Sequence, residues 1–213
     1  EKIEELLSVQ DSLVVLFNAP AHNPTGYSPS AETWDKIIAI LKECAVPGKK
    51  ITFFLDIAYI DFAGDPDRAR EFLPKFGDMP DNILTVIGFS ASKGFTFYGL
   101  RTGAMLCVTQ NKEIAEEFKR VVTFSSRGSW SNCIRAGQAA IAKVFNDEAL
   151  LAKVFEERKA YEKLLSARCE AFKEAAAAAG LKVAWTTGRL PVDVGSAAGD
   201  GPAKGSTGFG GQR

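Results

Sequence analysis

The sequence has little histidine: His22 is the only one in 213 residues. Its four cysteines, Cys44, Cys107, Cys133 and Cys169, lie far apart and form no CxxC pair. A zinc site needs several imidazole or thiolate ligands at close spacing, and this pattern argues against one. A Cys–His nucleophilic pair would have to use His22, and nothing in its local sequence supports that. Scattered thiols fit a reducing cytosolic compartment. Charge of one sign is also missing, since 26 basic residues balance 26 acidic ones. That leaves no electrostatic footprint for nucleic acid or for an anionic membrane. No apolar run approaches the roughly 20 residues of a membrane span. The opening EKIEELLSVQDS lacks the basic start and apolar core of a signal peptide, so a cytoplasmic protein is expected. It also lacks an initiator Met and begins inside a helix-like pattern, as an internal portion of a longer protein would. No internal repeat is found.

What is present is ordinary globular material, 46% apolar and 24% charged. Four short apolar runs predict buried strands at Leu13–Phe17, Ile51–Leu55, Leu84–Phe89 and Ala104–Val108. Ser30–Glu43 predicts a helix, with a Ser cap and apolar residues at Trp34, Ile37, Ile38 and Leu41. Asp67–Phe72 is a weaker helical piece. Lys112–Phe124 and Ser131–Phe145 are amphipathic. Alternating strands and helices predict an α/β fold with a largely parallel sheet. The third and fourth runs are joined by FSASKGFTFYGLRTG, with no clear helix, so that link is antiparallel or irregular. A long helix is expected from Asp147 to about Ala179, stopped by Gly180. LKVAW (Leu181–Trp185) could then be the first strand of a second domain. Residues 186–213 are rich in Gly, Ala and Ser and poor in large apolar groups. They cannot bury enough surface to offset ordering entropy. A disordered linker is one expectation for them, and a non-native continuation is the other.

Polar residues follow each expected strand. Asn23, Pro24, Thr25 and Gly26 come after the first, Asp56 and Tyr59 after the second, and Ser90, Ser92 and Lys93 after the third. In parallel α/β sheets, ligands bind beyond the carboxyl ends of the strands. Asn23, Asp56, Tyr59, Ser90 and Lys93 could therefore line one crevice. Each also has a plainer use. Asn-Pro-Thr-Gly is a turn signature, an Asp after a strand can cap a helix, and a Tyr there can simply pack.

Taken together, HNPTG, D-x-A-Y and S-x-S-K-x-F-x-x-Y-G-x-R-x-G resemble the fold-type-I pyridoxal-phosphate (PLP) enzymes, specifically the class I/II aminotransferases. The resemblance runs from about Leu13 to Leu165. It implies a three-layer α/β/α cofactor-binding large domain over residues 1–146, N-terminally incomplete. It also implies an interdomain helix and the start of a small domain over 147–185. Lys93 matches the lysine that holds the cofactor aldehyde as a Schiff base and, once freed, moves a proton. Asp56 matches the carboxylate that pairs with the pyridine nitrogen. Asn23 and Tyr59 match the residues that hydrogen-bond the ring 3′ oxygen. Ser90 and Ser92 match the phosphate-binding serines. Arg101 matches the phosphate-binding arginine, whose planar fork suits a dianion.

RGSWSN, starting at Arg127, resembles the R-x-x-x-S-N stretch of aspartate and aromatic aminotransferases. There the arginine crosses a dimer interface to a substrate's distal carboxylate. The resemblance thus implies a homodimeric transaminase. It would move an amino group from an amino acid, aspartate or aromatic, to a 2-oxo acid such as 2-oxoglutarate. A PLP-dependent lyase or decarboxylase on the same scaffold stays open, because fold does not fix reaction. So does a non-catalytic product, either a pseudoenzyme or the sensing domain of a regulator. Two parts of the family pattern are not identifiable: the N-terminal phosphate loop with its stacking aromatic, and the C-terminal arginine for the α-carboxylate. That last role is not transferred to Arg189.

Overall fold

The computed structural model describes residues 1–181. All four expected strands form, each with its bounds shifted by a residue or so. They are β1 (Ser12–Asn18), β2 (Lys50–Asp56), β3 (Ile83–Ser90) and β4 (Gly103–Val108). Their order in the sheet is β1-β2-β3-β4. The first two pairings are parallel and the last is antiparallel. The sheet is therefore mostly parallel, and it reverses at FSASKGFTFYGLRTG.

Alternation along β2 decides which face is core. Ile51, Phe53 and Leu55 are fully buried, while the residues between them are less so. Leu13, Val15 and Phe17 of β1 join them on that face. Helix α2 (Ala31–Cys44) covers it with Trp34 and Leu41. Two 3-10 turns, Arg68–Arg70 and Leu73–Asp78, bring Phe72 and Phe76 beside Trp34. The rings interlock. Trp34 stacks on Phe72 with centroids 4.3 Å apart, and Phe53 stacks on Phe76 at 5.4 Å. Such pairs add to the burial energy of their area. Phe53→Ala should therefore lower unfolding free energy by about 3–5 kcal/mol, checked by denaturant titration.

Of the expected helix at Asp67–Phe72 only the 3-10 turn Arg68–Arg70 forms, and the second turn begins beyond it at Leu73. Pro74 stands in the first turn of the second one, and proline has no N–H for an α-helical bond. Elsewhere the helix ends follow their caps. Ser30 Oγ accepts from Thr33 N at the start of α2. Asp147 caps α6 (Glu148–Ala178) by accepting from Leu150 N. Helix α4 (Lys112–Trp130) runs six residues past the amphipathic stretch, and α5 (Arg135–Phe145) starts four residues later than Ser131. A short N-terminal helix, α1 (Lys2–Val9), buries Leu7 in the core.

Burial raises the thiol pKa of Cys44 and of Cys107 above the ordinary value. Among the described residues, no helix is long and apolar enough to cross a membrane. Of the expected strand at Leu181–Trp185 only Leu181 is described. The remainder of that strand, Arg189 and residues 186–213 lie outside the described residues.

Candidate functional site at the strand ends

Parallel register places Asn18, Asp56 and Gly88 side by side at the ends of β1, β2 and β3. Two residues later on β3, Ser90 pairs with Gly103 of β4. The chain leaves the sheet at all three strand ends, so the polar residues that follow collect there.

Asp56 is half-buried and rigidly held. Its Oδ1 accepts from Ala58 N at 3.0 Å, and its backbone oxygen accepts from Ala19 N at 3.1 Å. Asn18 links this strand end to the next loop. Its Nδ2 donates to the Asp56 oxygen, and its Oδ1 accepts from Asn23 N at 2.9 Å. Asn23 itself is exposed on the loop after β1. In the same loop His22 Nδ1 lies 2.8 Å from Thr25 Oγ1. Asn18 was not singled out from sequence. The only available signal was a polar residue closing an apolar run.

The lysine stretch folds more tightly than expected. It contains a four-residue helix, α3 (Ala91–Gly94), and a 3-10 turn at Tyr98–Leu100. Ser90 Oγ caps α3 by accepting from Ser92 N at 3.3 Å. Arg101 adopts φ 48° and ψ 43°, which is uncommon for a residue with a side chain. Its Nη1 reaches back to Tyr98 O at 2.8 Å and to Ser92 Oγ at 3.4 Å. Ser90, Ser92 and Arg101 thus form one connected group of hydroxyl and guanidinium donors. Phe95 fastens the loop behind them, with its ring 6.4 Å from Phe89 and 6.0 Å from Phe145.

Lys93 projects from α3 between two aromatic rings. Its Nζ stands 4.4 Å from the Tyr98 centroid and 5.6 Å from that of Tyr59. A pocket of about 330 Å³ opens at this point. Tyr59, Ser92, Lys93, Tyr98 and, from α6, Leu165 line it. An amine in a mostly apolar hollow beside a phenol can attack a carbonyl carbon or shuttle a proton.

Arg127 is not among these groups. It lies exposed in the last turn of α4, and its Nη1 donates to Ser131 O at 2.9 Å. It also lies 3.3 Å from Asn132 Oδ1. Within this chain it satisfies the end of its own helix.

A mostly parallel sheet with an amine, a carboxylate, hydroxyls and a guanidinium at its strand ends defines a class that known structures share. An aminotransferase from Anaerococcus prevotii superposes with a TM-score of 0.81 at 39% identity, covering 85% of this chain and 44% of that one. An aromatic-amino-acid aminotransferase from Burkholderia pseudomallei, covalently bound to pyridoxal phosphate, superposes at 0.71 with 26% identity, covering 84% of this chain and 43% of that one. The family model for aminotransferase class I and II matches residues 1–198, and the chain belongs to that family. The aspartate aminotransferase of Haemophilus influenzae is 32% identical over 149 residues, covering 70% of this chain and 36% of that protein. The cytoplasmic aspartate aminotransferase of Caenorhabditis elegans is 30% identical over 148 residues, covering 69% and 35% respectively. The chain thus spans about a third of the length of these curated relatives.

Proposed function

We propose that the full-length protein is a PLP-dependent aminotransferase, a cytosolic homodimer that moves an amino group from an amino acid to a 2-oxo acid. One observation carries this reading. The Lys93 amine stands in a pocket beside Tyr59, next to linked Ser92 and Arg101 donors. That donor set fits the cofactor, because hydroxyls and a guanidinium suit a phosphate dianion, an amine suits an aldehyde, and a carboxylate suits a protonated pyridine. When bound, PLP supplies an electron-withdrawing ring that acidifies the substrate Cα–H.

The chain's own residues do the rest. Lys93 Nζ secures the aldehyde carbon and afterwards carries the proton leaving the substrate Cα. Asp56, fixed through Ala58 N, keeps a proton on the ring nitrogen. Tyr59 and Asn23 donate toward the ring oxygen. Ser90, Ser92 and Arg101 bind the phosphate. Residues 1–146 form the cofactor-binding unit, and α6 leads out of it.

Arg127 selects the donor. In a dimer its guanidinium serves a substrate's distal carboxylate, which favours aspartate and 2-oxoglutarate. Arg127→Ala should raise KM for aspartate at least about tenfold, the worth of a charge-assisted hydrogen bond, and change it little for an uncharged amino acid. Equal effects on both would remove the distal-carboxylate role. The reading as a whole is tested by half-reaction spectroscopy of the full-length protein with PLP across a panel of amino acids. Conversion to the amine form of the cofactor by aspartate or an aromatic amino acid is expected. Release of carbon dioxide or ammonia without that conversion would replace the transaminase with a lyase.

A further inference from the structure

Behind the lysine loop lies a buried cluster of charges that the strand-end group does not include. Asp61, in the 3-10 turn Ile60–Phe62, has a side chain only 6% exposed. It accepts from Arg70 Nη2 at 2.6 Å and from Arg158 Nη1 at 3.1 Å. Arg158 comes from α6, 97 residues further along the chain, and is itself 9% exposed. Its Nη2 donates to Gly94 O at 2.9 Å. Its guanidinium also stands 5.4 Å from the Phe95 ring and 5.5 Å from the Phe155 ring.

Gly94 is the residue after Lys93, and it is packed against the same carboxylate. A Cβ there would lie 2.0 Å from Asp61 Oδ2 and 2.9 Å from its Cγ. Only glycine permits so close an approach. The peptide that carries Lys93 onward is therefore gripped twice, by Asp61 through contact and by Arg158 through a hydrogen bond to its carbonyl.

Burying a charge pair is a poor way to gain stability, because desolvation offsets most of the attraction. It is a good way to specify one geometry, since a planar fork bridging two oxygens tolerates little displacement. We propose that Asp61 and Arg158 are positioning residues for Lys93. Through Gly94 they fix the height and direction of its amine between the Tyr59 and Tyr98 rings. They also tie that amine to α6, whose Leu165 lines the same pocket. The inference rests on Lys93 being the residue that holds the cofactor.

The test uses the full-length protein loaded with PLP. Borohydride reduction followed by peptide mapping first locates the modified lysine. Arg158→Met keeps the volume, removes the fork and leaves Asp61 paired with Arg70. Its expected effect on the visible band is a pH-titration midpoint moved by about half a unit or more. Its kcat should fall at least about tenfold while KM changes less than about threefold, as for a misplaced reacting group. Arg158→Lys, which offers a cation without the fork, should fall between wild type and Arg158→Met. Gly94→Ala, whose Cβ would press on Asp61 and displace the same peptide while both charges are kept, should move the midpoint and kcat alike, and it carries the test if Arg158→Met does not fold. A lower melting temperature with midpoint and kcat at wild-type values would overturn the positioning role while Lys93 stays assigned. Borohydride label on another residue would overturn the assignment of Lys93, and the role of the pair with it.

Discussion

Lys93→Ala is expected to abolish the visible absorption of the lysine-linked cofactor and to leave nothing for borohydride to fix. Two losses combine in this one change. The first is the amine proposed to secure the aldehyde, a covalent attachment no lining neighbour would replace: Tyr59 and Tyr98 offer phenols and Ser92 a hydroxyl. The second is the proposed proton carrier at the substrate Cα, a role worth about 10²–10⁴-fold by itself. The overall rate should therefore fall by at least about four orders of magnitude. The fold should survive, because the Lys93 side chain lies in a pocket and the turn is held by Ser90, Phe95 and Arg101. Far-ultraviolet circular dichroism checks the fold and absorption checks the site. A band that persists in the variant and resists borohydride would place the cofactor on another residue.

Asp56→Ala is expected to have the next largest effect. Its carboxylate is pre-set by the Ala58 amide, and its strand end is fastened by Ala19 and Asn18. Such a group stabilises developing charge without having to reorganise. Removing one preorganised electrostatic partner lowers rates by about 10²–10³-fold. Asp56→Glu should recover part of this, since it restores the charge at a shifted position. Stopped-flow measurement of the aspartate half-reaction reads the rate directly. A fall of less than about threefold in Asp56→Ala would show that the ring nitrogen does not depend on this carboxylate.

The strands were legible because they are short, apolar and bounded by polar residues that leave the sheet. Ile51–Leu55 and Leu84–Phe89 fall inside β2 and β3. Caps made the starts of α2 and α6 legible, through Ser30 and Asp147. The end of α4 was not, since apolar spacing stops at Phe124 while the helix runs on to Trp130. Local bonds hold that last stretch instead, from Trp130 Nε1 to Ser126 Oγ and from Arg127 to Ser131. That Ser90, Ser92, Lys93 and Arg101 would lie together was legible because they fall within one short loop. Asn18, Asp61 and Arg158 were not. Each has one partner remote in sequence, Asp56 for Asn18 and Arg158 for Asp61, and no local pattern distinguishes Arg158 from the other arginine of α6.

The reversal of the sheet between β3 and β4 also bears on how the pocket is assembled. Ser92 and Arg101, which grip one end of the proposed cofactor site, are nine residues apart, whereas Asn18 and Asp56 are 38 apart. Closing the shorter loop costs roughly 1 kcal/mol less chain entropy than closing the longer one. Local contacts of this kind form early in a folding reaction, and parallel strand pairing forms late. The Ser92–Arg101 contact thus costs less chain entropy to form than the Asn18–Asp56 contact, which waits for the long-range sheet.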